Sequence, residues 1–289
     1  MPVSPVKIID PHLHLFDLNL GDYGWLKPQN PPYWPDKQQI ARHFHEEDLL
    51  LTKEMSLAGF VHIEAGFDNH QPWREIDWLE SVCHLPFKTI ACTDLIAADF
   101  ANNLNEMLRR PSVIGLRHIL DDDAVSILTH PSTTQHFGLL NDLRFNFEAQ
   151  LSLTNTPAVD KLVSLAQHHK NMAIMINHGG WPPHKSSNQF NTWQDNLRRL
   201  SICPNIAVKL SAWEMTDRNW VLTSVIETLG IALDCFGSNR VMLASNFPLC
   251  TLSQSYAQLW QTYHQGLDLS AELFTQLSYT NARRWYKFS

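Results

Sequence analysis

Apolar residues recur along the chain in short runs, separated by stretches whose apolar positions are spaced for helices. The runs "VKIID", "GFVHIEA", "KTIACTD", "VIGLRHI", "FNFEAQLS", "MAIMINH", "NIAVKLSA" and "RVMLASN" read as strands. From the second onward they begin roughly 25 to 35 residues apart, the repeat of successive βα units. Between them, "EEDLLLTKEMSLAG" and "PAVDKLVSLAQHHKN" carry apolar residues at helical intervals. This alternation implies a parallel sheet, and eight repeats imply closure into an α/β (β/α)8 barrel, the TIM barrel. A doubly wound open sheet is the rival; the lack of a G-x-G-x-x-G turn after the first strand counts against it. No linker, low-complexity tract or repeat divides residues 1–289, so a single barrel domain is expected. One connection is long. "DLNLGDYGWLKPQNPPYWPDKQQ" follows strand one and belongs to the C-terminal rim of a barrel, as a lid or a packed cap.

A strand alternates its faces with period two, so each can be asked what it sends inward near its C-terminal end. Strand one offers Asp10, His12 and His14; strand two His62 and Glu64; strand four Arg117, which turns His118 away. Strand five offers Asn146, Glu148 and Gln150, strand six His178, strand seven Lys209 and Ser211, and strand eight Asn246. Buried polar groups without a purpose cost stability, so their recurrence at one end marks a site. In His12-x-His14, two imidazoles on one strand face can meet one metal ion or one substrate oxygen. His43-x-His45 has the same spacing but precedes a predicted helix, where residues i and i+2 diverge by ~200°. That second pair is expected to be surface or capping residues.

Composition narrows the partners. With 44% hydrophobic and 18% charged residues the chain matches a compact enzyme-sized domain, not a disordered one. A net charge of −7 without a basic stripe argues against nucleic acid. Five cysteines without a C-x-x-C pair make disulfides and a thiolate zinc site poor expectations, and a reducing cytoplasm fits best. "MPVSPVKIID" has no leader pattern and no apolar run is long enough to span a bilayer, so no membrane partner is expected. The expected state is a monomer or homodimer.

Several of these segments, in order, resemble the amidohydrolase superfamily. "IIDPHLHLFD" resembles its first-strand His-x-His signature. "GLRHIL", "INHGG", "IAVKLSAW" and "NARRWYKF" resemble segments of its branch of sugar-lactone and pyrone-dicarboxylate lactone hydrolases. The resemblance implies that His12, His14 and His178 surround the reacting carbonyl, with or without one divalent metal ion (Zn2+ or Mn2+) held by the same three residues. It implies that Arg117 and Lys209 bind a substrate carboxylate or polarise its carbonyl, and His62, Gln150 and Trp34 join them as expected substrate-binding residues. Trp25, Tyr33, Trp181 and Trp213, also in predicted rim loops, are further candidates to stack on a sugar face. Where the family's eighth strand ends in an aspartate that activates water, as in "SDxP", this chain has "SNFP".

An amide cannot accept the proton of an attacking water. A bound zinc ion, which lowers the pKa of its water to about 7, would compensate for the missing charge. Without metal, Glu64, Glu148 or a neutral histidine must act as base, Glu64 being first by strand order, while Asn246 positions water or donates to an oxyanion. The expected activity is hydrolysis of a small cyclic ester, either a sugar-acid lactone or a carboxylated lactone; the expected substrate is anionic or polyhydroxylated. The alternatives are a metal-dependent decarboxylase of the same superfamily and a barrel that binds a metabolite without turning it over.

Overall fold

The computed structural model describes residues 4–289; the first three residues of "MPVSPVKIID" lie outside the described ones. Eight strands form one parallel sheet in sequence order: β1 (Val6–Leu13), β2 (Met55–Ile63), β3 (Phe87–Cys92), β4 (Val113–Ile119), β5 (Asn146–Gln150), β6 (Ala173–Ile176), β7 (Ile206–Leu210) and β8 (Val241–Leu243). Closure is made beyond the end of β8, where Asn246 N–H donates to the His12 carbonyl (2.9 Å) and His14 N–H to that of Phe247 (2.6 Å). The buried Asp10 carboxylate accepts from His12 N–H (3.1 Å) and Ser245 N–H (3.2 Å), tying the same two chain ends. The expected barrel is therefore present.

The helices follow the strands: α1 (Trp73–Val82), α2 (Phe100–Met107), α3 (Ala124–Thr129), α4 (Pro131–Leu143), α5 (Thr156–His168), α6 (Phe190–Ser201), α7 (Trp213–Thr216), α8 (Leu222–Phe236) and α9 (Tyr256–Gly266). The expected helix in "PAVDKLVSLAQHHKN" is α5, capped by the Asn155 side chain with a proline in its first turn. The helix expected in "EEDLLLTKEMSLAG" is not formed. Only a 3-10 turn, Glu46–Asp48, precedes β2, which already begins at Met55. The first βα unit thus lacks its helix on entry to β2, and C-terminal residues Tyr279, Ala282, Trp285, Tyr286 and Phe288 pack with Ala58 and the apolar barrel interior.

Consequently His43 and His45 are not on a helix. Phe44 pairs with Phe16 in an antiparallel bridge, and His45 has extended backbone (φ −116°, ψ −179°) while serving as the residue that caps Glu46–Asp48. The capping role holds, but the divergence expected from helical geometry does not: flanking residues on extended chain share a face. All five cysteines are free, and no described helix is long and apolar enough to cross a membrane.

Candidate active site at the C-terminal mouth of the barrel

His12, His14 and His178 converge at the barrel mouth, with ring centroids 5.2 Å apart for His12–His14 and 4.6 Å for His12–His178. Strand irregularity makes this possible. The β1 register against β2 shifts between Ile8 and Ile9 and again between Asp10 and Leu13, so Ile9 and later His12 both reach the interior. His178 lies past the end of β6 in left-handed backbone (φ 55°), as do Ala212 after β7 and Asn246 after β8. Non-glycine residues rarely adopt this conformation; three successive strand ends doing so is the kind of local strain that clusters at functional sites.

Hydrogen bonds fix two of the rings. His14 Nδ1 donates to the Ile63 carbonyl (2.7 Å), which leaves a lone pair on Nε2, and His178 Nδ1 pairs with Ser211 Oγ (2.9 Å). Among the described residues, His12 has no hydrogen-bond partner on either nitrogen although both are buried. Burial, first, holds all three imidazoles well below the ordinary histidine pKa; Lys209 adds to the effect at His12 and His178, and Arg117 at His14. Three neutral imidazoles, one wholly unpartnered, suit a divalent ion or a ligand oxygen.

The two cations are already neutralised. Arg117 donates from Nε to Glu64 Oε1 (2.8 Å), from Nη2 to the Glu64 carbonyl (2.7 Å) and from Nη1 to Gln150 Oε1 (3.3 Å). Lys209 lies 2.6 Å from Glu148, fully buried, and its Nζ also donates to the Pro11 carbonyl (3.3 Å). Burial, outweighing the attraction of Glu148, pushes Lys209 down to about 8. Glu148 in turn accepts from the Tyr286 hydroxyl (2.6 Å) and from Asn177 Nδ2, so its oxygens are committed and it is no candidate base. His62 departs further from expectation. Val61 and Ile63 face the barrel interior, and His62 points to α1, where Nε2 pairs with Glu75 (2.9 Å) and Nδ1 accepts from Leu15 N–H (3.2 Å). Neither His62 nor Lys209 lines the cavity described below, so direct substrate binding by either is corrected to a supporting position.

Asn246 carries a partner that strand-face reading misses. Its Nδ2 donates to Glu214 Oε1 at 2.7 Å, and Glu214 is 2% exposed. An ionised carboxylate only accepts, so with Glu214 ionised the amide turns its NH2 toward Glu214 and Oδ1 away from it. Burial raises Glu214 to about 7, against the lowering effects of the Asn246 bond and of Arg218, whose guanidinium is engaged bidentately by Asp36. The only sequence signal was a carboxylate in "AWEMTD" just after the seventh strand; the left-handed turn at Ala212 hides its direction from any period-two argument.

Residues 9–288 match the model of the amidohydrolase family. The chain belongs to that family. Among relatives, the uncharacterized protein y4mH of Sinorhizobium fredii is 28% identical over 99% of this chain and 100% of its own length. L-fucono-1,5-lactonase of Burkholderia multivorans is 24% identical over 87% of this chain and 85% of its own. A zinc-bound amidohydrolase structure from Burkholderia multivorans superposes with a TM-score of 0.81 at 21% identity, covering 97% of this chain and 99% of that one.

In this family member the mouth opens into a cavity of about 1270 Å3 lined by His14, His178, Glu64, Arg117, Gln150 and Asn246 among others. Its lining includes three tryptophans, Trp25, Trp34 and Trp181, and four aspartates, Asp94, Asp99, Asp121 and Asp122. Trp25 is held by its Nε1 bond to the Ala65 carbonyl (2.7 Å), and Arg218 stacks over Trp34 (5.4 Å). The long connection after β1 therefore forms part of the cavity wall. Two other aromatic candidates are elsewhere: Tyr33 is 72% exposed and lines nothing here, and Trp213 is buried with its indole N–H on Tyr263 (2.7 Å).

Proposed function

We propose that this protein hydrolyses a neutral, polyhydroxylated lactone of a sugar acid. The observation that carries the reading is the set of three converging neutral imidazoles: His14 and His178 line a cavity that also presents three tryptophans and four aspartates, and His12 lies buried and unpartnered beside them. Aromatic faces stack on sugar rings, and carboxylates accept from hydroxyl groups. The same four aspartates, with Arg117 and Lys209 held by Glu64 and Glu148, repel a carboxylated lactone. The likeness to a fucono-lactonase points the same way.

The lactone carbonyl is placed among the three histidines. Asn246, held from behind by Glu214, turns Oδ1 to an attacking water and orients it. Glu64 is tied to Arg117, which leaves the lone pair on His14 Nε2 as the proton acceptor in a metal-free protein. His12, His14 and His178 are the residues that would hold a divalent ion, and a relative of the same fold carries zinc. Such an ion supplies Lewis-acid polarisation of carbonyl and water.

The test is a lactone panel. Purified protein is stripped of metal, reconstituted with Zn2+ or Mn2+ or left bare, and assayed on neutral aldonolactones and on dicarboxylated lactones. Neutral lactones are expected to open at least about tenfold faster in kcat/KM, a difference of ~1.4 kcal/mol. No ring opening above background in any metal state would sink the proposal, and CO2 release from an aromatic acid would redirect it to decarboxylation. Binding of aldonolactones without turnover would make the barrel a binding protein.

A further inference from the structure

We propose that Asp17, His43 and His45 form a second metal site, separate from the barrel mouth, that takes a borderline dication such as Zn2+ and staples the neck of the long β1–β2 connection. The connection leaves the barrel at Asp17 and returns at His43–His45. Phe16 and Phe44 exchange both backbone bonds there (2.8 and 2.9 Å), so Asp17, His43 and His45, each one residue removed from that pair, share the opposite face. One donor atom from each of the three lies within 4.8 Å of the other two.

The donor set is the right chemistry. Imidazole and carboxylate together suit zinc and its neighbours, and bonds of about 2.0–2.1 Å at tetrahedral angles separate ligand atoms by about 3.3 Å. His43 Nδ1 lies 3.2 Å from Asp17 Oδ1, and His45 Nε2 lies 3.7 Å from Asp17 Oδ2. Leu18 N–H donates to His43 Nδ1 at 3.3 Å, a long bond that a cation ligated by that nitrogen would replace. One further feature points to a cation between the three side chains: among the described residues His45 Nε2, a buried atom, has no hydrogen-bond partner, although its side chain as a whole is 43% exposed. Three protein ligands leave a position for water, consistent with a site open to solvent.

The location gives the site a consequence. The residues between Asp17 and His43 include Trp25 and Trp34, part of the cavity wall, and a metal at the neck fixes both ends of that segment. Closing a loop at its base removes conformational freedom that the segment otherwise retains.

The experiment uses the full chain, stripped with chelator and titrated with Zn2+ alone, comparing wild type with His43→Gln/His45→Gln and, separately, Asp17→Asn. Equivalents bound are read by calorimetry and elemental analysis, and Tm is read with and without zinc. Wild type is expected to bind one equivalent more than either variant, and the zinc-induced rise in Tm is expected to shrink in both. Equal stoichiometry and an equal zinc-induced rise in wild type and variants overturn the proposal. Because His43 and His45 are 43% exposed, the double variant is expected to keep its metal-free Tm; Asp17→Asn provides the second arm if it does not. The barrel-mouth histidines are unchanged in every protein compared, so this count is independent of whether any lactone is opened.

Discussion

Replacing Asn246 by aspartate turns "SNFP" into the "SDxP" pattern that the segment resembles and tests the Asn246–Glu214 contact directly. The new carboxylate would face Glu214 Oε1 across the 2.7 Å now spanned by an amide hydrogen bond. At an effective dielectric near 20, two charges at that separation repel by ~6 kcal/mol, or about four pKa units. The pair therefore keeps one proton throughout the neutral and mildly alkaline range. The sign follows from linkage. In wild type, Glu214 is raised from 4.5 to about 7, so its contribution to stability is full below pH 4.5, declines as pH rises, and is gone once pH passes about 7. In Asn246→Asp the native state still holds a proton that the unfolded chain has released, so stability continues to fall by ~1.4 kcal/mol per pH unit. Between pH 7 and 9 this amounts to ~2 kcal/mol beyond wild type, or about 5 °C in Tm. Lys209, lowered to about 8, titrates in the same window but in both proteins, so it cancels in the difference. Calorimetric Tm measured from pH 5 to 9 gives the two curves. Parallel curves above pH 7 would refute a buried amide–carboxylate contact, and Asn246→Asp/Glu214→Gln, with one carboxylate again, is expected to return the curve to flat.

Three further outcomes follow from the same geometry. Glu214→Gln alone is expected to remove the fall in stability between pH 4.5 and about 7, worth ~3 kcal/mol over the full interval; a difference curve against wild type that is flat there would show that Glu214 is not strained by burial. Lys209→Met leaves Glu148 charged in a dry interior and is expected to cost about 3–5 kcal/mol in urea unfolding, while Lys209→Met/Glu148→Gln recovers much of it; equal losses would deny the pair its coupling. His12→Phe gives up two buried nitrogens that no protein group satisfies, so its Tm is expected to match or exceed that of wild type while lactone turnover or ligand binding is lost. A large fall in Tm with function retained would reverse that assignment.

The barrel and the cluster of polar residues at its C-terminal mouth were legible because strands in a parallel barrel, buried on both faces, appear as short apolar runs, and because polar residues at their ends stand out against them. His12, His14, His178, Glu64, Arg117, Gln150 and Asn246 meet for that reason. The errors have a common origin in phase. "FVHIEA" places either His62 or its apolar neighbours inward with equal regularity, and what decides is Glu75 on the following helix, which satisfies His62 from outside. His43 and His45 failed in the opposite direction: their segment carries helical spacing, yet its pairing with Phe16 across the connection holds it extended. No local pattern announces such a tertiary override.

Charge pairing was illegible for a deeper reason, and it bears most on substrate. Arg117 and Glu64 are 53 residues apart, so nothing in the sequence says that each consumes the other. Counted as free, Arg117 and Lys209 invite an anion. Counted with their partners they add no net charge, and Asp94, Asp99, Asp121 and Asp122 then set the sign of the cavity lining. A carboxylated substrate must displace Glu64 from Arg117 and expose a buried charge, whereas a hydroxylated one can use the pairs as they stand. Arg117→Met separates these cases. For a neutral lactone it is expected to destabilise the fold through unpaired Glu64 more than it raises KM, and a KM rise of about a hundredfold at unchanged Tm would instead identify Arg117 as a carboxylate receptor.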